Sequence, residues 1–144
     1  MAYSKISEIG GVIHGSWDDE IILPALGDGT TKAGMVVYIN TSGQAVATDV
    51  NAADLFTGIA LPCKDIDIDT AITANKQMSV VVPQSGHMYG VFIVDLNLSD
   101  AGNNLIFTTT AGSLGTSTDV EAVSVAQTYR YDDGDTVGVV IWRG

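Results

Sequence analysis

The densest set of side chains suited to chemistry in this sequence is the run "DIDID", where Asp65, Asp67 and Asp69 recur at every second position. Calcium loops begin with that spacing, but they also need a glycine at the sixth position and a bidentate glutamate at the twelfth. Here those positions hold Thr70 and Lys76. An extended segment would place the three carboxylates on one solvated face with Ile66 and Ile68 turned inward. That is the expected arrangement, with adventitious cation binding as the alternative. In "YDDGD", Asp132, Asp133 and Asp135 surround Gly134, and Asp-Gly is a strong turn signal, so a turn is expected ahead of a metal site. The two histidines are His14 and His87. "QSGHMYG" puts Ser85 near His87, yet the G-x-S-x-G elbow and a recognisable third triad member are missing, so a solvated or hydrogen-bonded loop histidine is expected. "WDDE", Trp17 to Glu20, reads as acidic solvation. The glycines of "GDGTTKAG" match neither G-x-G-x-x-G nor a Walker loop and are read as turn glycines. The expectation is a protein that is not an enzyme, with no catalytic residue, no cofactor and no metal ligand.

The elements around these residues point to strands. The chain has 144 residues, sixteen of them glycine and three proline, with 46% hydrophobic residues. One domain of many short strands joined by turns is the natural reading, burying roughly two-thirds of the surface that its unfolded chain exposes. "AGMVVYINTSGQAVATDV" reads as a hairpin: Met35–Ile39 is β-branched and aromatic, "NTSGQ" offers turn formers, and Ala45–Thr48 returns. Further strands are expected at Gly58–Leu61, Gln77–Val82, Gly90–Leu96, Leu105–Thr109, Glu121–Tyr129 and Thr136–Trp142, the rhythm of an antiparallel sandwich or barrel. A strand, a Gly-containing turn and a second strand occur at 35–48 and again at 105–118. In "VEAVSVAQTYRY" the alternation is imperfect, which predicts a strand that is bulged or covered on both faces. Only "DVNAADLF" and "DTAITANKQ" leave room for a short helix.

Residues 1–30 differ from the rest. Ile6, Ile9, Val12, Ile13, Trp17, Ile21 and Ile22 are scattered among Gly, Ser and acids, with neither a strand nor a helix period. They read as an extended N-terminal arm whose apolar residues gain burial from a partner. "PALGDGTTKAG" joins that arm to a β-rich domain at 31–144. Seventeen Asp+Glu against six Lys+Arg give a formal net charge of -11, which excludes direct binding to nucleic acid as an expectation, since that needs cationic neutralisation of phosphates. The single cysteine, Cys63, cannot close an internal disulfide and is expected as a small buried side chain in a protein assembled in a reducing cytoplasm. No signal peptide is visible, and no apolar run approaches the ~20 residues of a membrane span, so no membrane association is expected.

Four stretches then combine: "AGMVVYINTSGQAVATDVNAADLFTGIAL", "MSVVVPQSGHMYGVFIVDL", "AGNNLIFTTTAGSLGTS" and "GDTVGVVIWRG". Over residues 33–144 their pattern resembles the small head decoration, or capsid cement, proteins of tailed viruses. The resemblance implies an all-β, β-tulip-type sandwich or barrel-like body with little helix. It also implies a homotrimer on the outer surface of an icosahedral virion head, whose partners are the major capsid protein and further copies of itself. The N-terminal arm would add contacts to the shell, and it is longer than the arms of the resembling family. The competing expectation is a carbohydrate- or receptor-binding β-domain at a virion surface, with Trp17, Tyr38, Tyr89, Tyr129, Tyr131 and Trp142 forming an aromatic platform rather than sitting in the core or an interface.

Overall fold

A computed structural model of the chain describes residues 12–14, 20–67, 69–94, 104–116, 125–130 and 137–144. Eleven strands lie among them, in two sheets. The first five are β1 (Val12–His14), β2 (Ile21–Leu26), β3 (Val36–Ile39), β4 (Ala45–Ala47) and β5 (Gly58–Ala60). They are followed by β6 (Gln77–Val82), β7 (Met88–Val94), β8 (Asn104–Phe107), β9 (Leu114–Thr116), β10 (Ala126–Arg130) and β11 (Val137–Trp142). The fold is all-β, as the turn-rich composition predicts.

One sheet has the order β2-β6-β5-β3-β4 and is antiparallel throughout. The expected β3–β4 hairpin forms with Val37 opposite Ala47 and Ile39 opposite Ala45. Its turn is held by the Asn40 side-chain oxygen, which accepts from the Ser42 and Gln44 N–H groups at 2.9 Å each, with Gly43 at φ +80°. Paired apolar residues in the central strands bury both faces. Val36, Ile59 and Val81 join the main core, while Val37, Ala60 and Val80 join a second core with Ala25, Ala45, Met78 and Ile72. This explains why these strands read as continuous apolar runs rather than as alternation. The sheet also curls until its two outer strands touch, where Leu26 bridges Gln44 and the Leu26 N–H reaches the Gly43 carbonyl at 2.9 Å.

The other sheet is a small closed barrel. Its order runs β7-β11-β10-β8-β9, and β9 then returns to β7 in parallel, with Ile93 opposite Leu114 and Val94 opposite Gly115. β1 lies outside the ring, antiparallel on the β7 edge at Met88 and Tyr89. The main core joins residues of the two sheets. Tyr89, Val91, Ile93, Leu105, Phe107, Leu114, Val140 and Trp142 come from the barrel, and Phe56 tilts against Phe107 at 5.1 Å and stacks on Trp142 at 5.3 Å. In β10 the register against β11 shifts between Thr128 and Arg130, the bulge that the imperfect alternation predicts.

Several segments differ from their sequence-based expectation. Ile21–Leu26, read as the end of the arm, is a full strand paired with β6 at six positions. The described part of "DIDID" turns rather than running extended: Asp65 and Asp69 take positive φ of 67° and 72°, a region that Asp tolerates better than branched residues do, and Ile68 lies outside the described residues. The three carboxylates are exposed, and Ile66 packs part-buried on the second core. "DVNAADLF" forms a short 3-10 segment, Val50–Leu55, capped by the Asp49 side chain, which accepts from the Asn51 and Ala52 N–H groups. "DTAITANKQ" forms no helix and instead sends Ile72 into the second core. Cys63 is half-buried rather than buried, its thiol donating to the Gln77 carbonyl at 3.3 Å.

Candidate interaction surface

β2 is an outer strand of its sheet, met by Gln44 at its Leu26 end, while at its Ile21 end β6 is its one partner strand among the described residues. Ile21 and Ile22 are 51% and 41% exposed, whereas Ala25 further along is buried. Large apolar side chains left on an edge strand are places where a partner can bury surface and add pairing. Beside this strand, between Pro24–Leu26 and Gln77–Ser79, runs a groove of about 560 Å³. A narrower one of about 250 Å³ lies between Phe56, Val82, Pro83, Val125 and Trp142. Ile21 stands directly opposite Val82, so the exposed isoleucines and this second groove adjoin. Val50, Leu55 and Tyr129 are also exposed.

The arm candidates divide accordingly. Ile21 and Ile22 sit at the start of the outer strand β2, Val12 and Ile13 belong to β1 on the opposite sheet, and Ile6, Ile9 and Trp17 lie outside the described residues. The two isoleucines of β2 were visible in the sequence as apolar residues without a period. Their place in a strand was not, because Pro24 and the short alternation obscure it.

Glu20, immediately before β2, departs most from its expectation of solvation. Its side chain is 0% exposed. One carboxylate oxygen lies 2.5 Å from His87 Nδ1, and the other accepts the Tyr89 hydroxyl at 2.7 Å. The Tyr89 oxygen accepts in turn from the Gln84 N–H at 2.8 Å. This polar clasp ties the start of β2 to the β6–β7 turn and to the barrel strand β7. A buried carboxylate needs such partners, since an unpaired one is strongly disfavoured. Burial holds the Tyr89 phenol above its ordinary value; the neighbouring Glu20 carboxylate pushes the same way, against the lowering effect of the Gln84 N–H. Tyr89 therefore remains a donor to Glu20 across the ordinary pH range. His87 is 28% exposed on its side chain, so the sequence reading of it as a hydrogen-bonded loop histidine holds, and the partner that the sequence left unidentified is Glu20. No Ser85 bond completes a nucleophilic arrangement among the described residues.

Among the described residues no three His, Cys, Asp or Glu side chains converge in a way that could hold a metal ion. Asp69 pairs with Lys32 at 3.1 Å on the surface. The side chain of His14, together with Asp132, Asp133 and Asp135, lies outside the described residues. Of the aromatics considered for a platform, Tyr89 and Trp142 are buried in the core, Tyr38 is half-buried and Tyr129 is exposed; Trp17 and Tyr131 are outside the description. No described helix is long and apolar enough to cross a membrane, which bears on helical spans alone.

No protein-family model matches the chain, and no curated protein matches it either. Among solved structures, the chain shares its fold with one from the capsid of Myoviridae phage XM1. The TM-score is 0.55 at 16% identity, over 94% of this chain and 89% of that one. At this identity the likeness establishes the fold.

Proposed function

We propose that this chain is a structural protein of a tailed-virus capsid, a decoration or cement subunit that binds the outer surface of the expanded head and stabilises it. The observation that carries this reading is the shared fold with a chain of a phage capsid over nearly the whole length of both. The exposed apolar start of β2 supports it, because Ile21 and Ile22 present surface that a shell protein would cover. The work of such a protein is binding free energy. A subunit that binds only the expanded lattice shifts the equilibrium toward it by mass action. In a trimer, attachment at one capsomer turns the next contacts into intramolecular events at high effective concentration.

Co-sedimentation with expanded and unexpanded empty heads tests the reading, with light scattering of the free protein alongside image reconstruction of decorated heads. Saturable binding to expanded heads, threefold clusters on the outer surface and greater resistance of the heads to heat are the expected results. Failure to bind heads of either form would overturn the reading. Isolated monomers on the shell would remove trimerisation from it.

A further inference from the structure

Among the described residues, β1 is held by only two residue pairs, on one side of a firm anchor. It meets β7 at two residue pairs, Val12 with Tyr89 and His14 with Met88, so two steps along β1 match one along β7, the signature of a bulge. On the other side of Glu20, β2 is fixed by six paired positions and by the bonds from Glu20 to His87 and Tyr89. The edge under β1 is itself well held. Met88 and Tyr89 pair on their far side with Ile141 and Val140 of β11, and the Tyr89 side chain is locked in the clasp. Among the described residues, the firmly paired run therefore starts beside Glu20, and β1 is a short strand laid on a preformed edge.

We propose that the β7 edge at Met88–Tyr89 is a strand-acceptor site that takes Val12–His14 of a second copy in place of the chain's own β1. The occupant is specified by what already sits there, since an identical strand makes the same backbone pairs in the same register. The link limits the geometry. Residues 15–19 separate His14 from Glu20, and six peptide steps reach at most about 20 Å, so exchange requires the acceptor edge of the neighbour to lie within that distance of Glu20. Concentration sets the balance. Closed and exchanged forms make the same contacts, so exchange becomes substantial when neighbouring copies exceed the effective concentration of the chain's own strand, on the order of 1 mM for a short link. Exchange needs only a second copy, and so stands or falls apart from shell binding.

Disulfide trapping in the full chain tests it, in a Cys63→Ser background because Cys63 is the sole cysteine. The double variant His14→Cys/Met88→Cys places two thiols at directly opposed positions of an antiparallel pair, within bridging distance. Refolded dilute and then oxidised, it is expected to link within one chain. The two single variants, one carrying a mass tag, are then mixed, refolded over a range of concentrations and oxidised. A tagged–untagged product linked between residues 14 and 88, rising severalfold as the total concentration passes about 1 mM, is the expected result. Internal links in the double variant with no mixed product at any concentration would overturn the exchange. No link in either experiment would overturn the pairing on which it rests.

Discussion

Removing the Glu20 carboxylate strands the Tyr89 O–H at the seam between the sheets and takes away the partner of the His87 ring, because both turn to it. Glu20→Ala is expected to lower stability by roughly 2 kcal/mol, the scale of a buried hydrogen-bonding group left without its charged partner. Denaturant unfolding checks this, with Tyr89→Phe expected to show a smaller loss; a Glu20→Ala change within about 0.5 kcal/mol, typical of solvated sites, would return Glu20 to the surface. Asp28 gives a pH-dependent counterpart. Burial pushes its carboxyl up, but the hydrogen bonds from Thr30 and Thr31 outweigh that and leave it below its ordinary value. Its contribution is thus complete above the unfolded carboxylate value and fades as pH falls through the lowered folded one. Thermal melts of the protein and of Asp28→Asn should differ at neutral pH and converge in acid below about pH 4; a constant gap would contradict the assignment. The Glu20 clasp was not legible in the sequence, since Glu20 and His87 lie 67 positions apart and "WDDE" has the composition of a solvated run.

Among the elements, β5 depends on the absence of a side chain. A Cβ on Gly58 would sit 2.3 Å from the Val81 carbonyl oxygen and 2.6 Å from Val80 Cγ1, so the strand approaches β6 more closely than any larger residue allows. Gly58→Ala is expected to cost about 2 kcal/mol or more by forced overpacking, read as a lower denaturation midpoint; a neutral result would mean that β5 and β6 separate easily. Asp49→Ala should cost about 1 kcal/mol through loss of the cap on Val50–Leu55, with circular dichroism confirming that the sheets persist. Strands with a strong local signal were readable: Gln77–Val82 and the β3–β4 hairpin coincide with their expectation to within a residue or so. β2 escaped because a proline within "IILPAL" argues against a strand, and at an edge that argument loses its force. β9 is three residues long and was implied only by the repeated strand–turn–strand pattern. Which strands share a sheet could not be read, since the β7–β9 and β7–β11 pairings join segments far apart in sequence.

For the whole molecule, the body and the segment before Glu20 should be separable. Deleting Met1 to Asp19 is expected to leave a folded β-protein, because β2 and the clasp remain, and on the proposed function to weaken attachment to expanded heads. Amide exchange and co-sedimentation measure the two outcomes. Undiminished attachment would place the contact on β2 and its neighbours instead, and an unfolded product would make residues 1–19 part of the core. The sheets also differ in how their strands are drawn from the chain. β2 to β6 are consecutive between residues 21 and 82, whereas β7 is flanked in the barrel by β11. A ribosome therefore releases every strand of the curled sheet before the barrel can close, because closure waits for residues 137–142 to be made. Until then the barrel-facing residues Val36, Ile59 and Val81 are uncovered on the growing chain. Non-local pairing of this kind folds slowly, so pulsed exchange labelling of the refolding protein should protect β5 and β6 before β7. During synthesis, that interval is when the nascent chain most needs a holding chaperone.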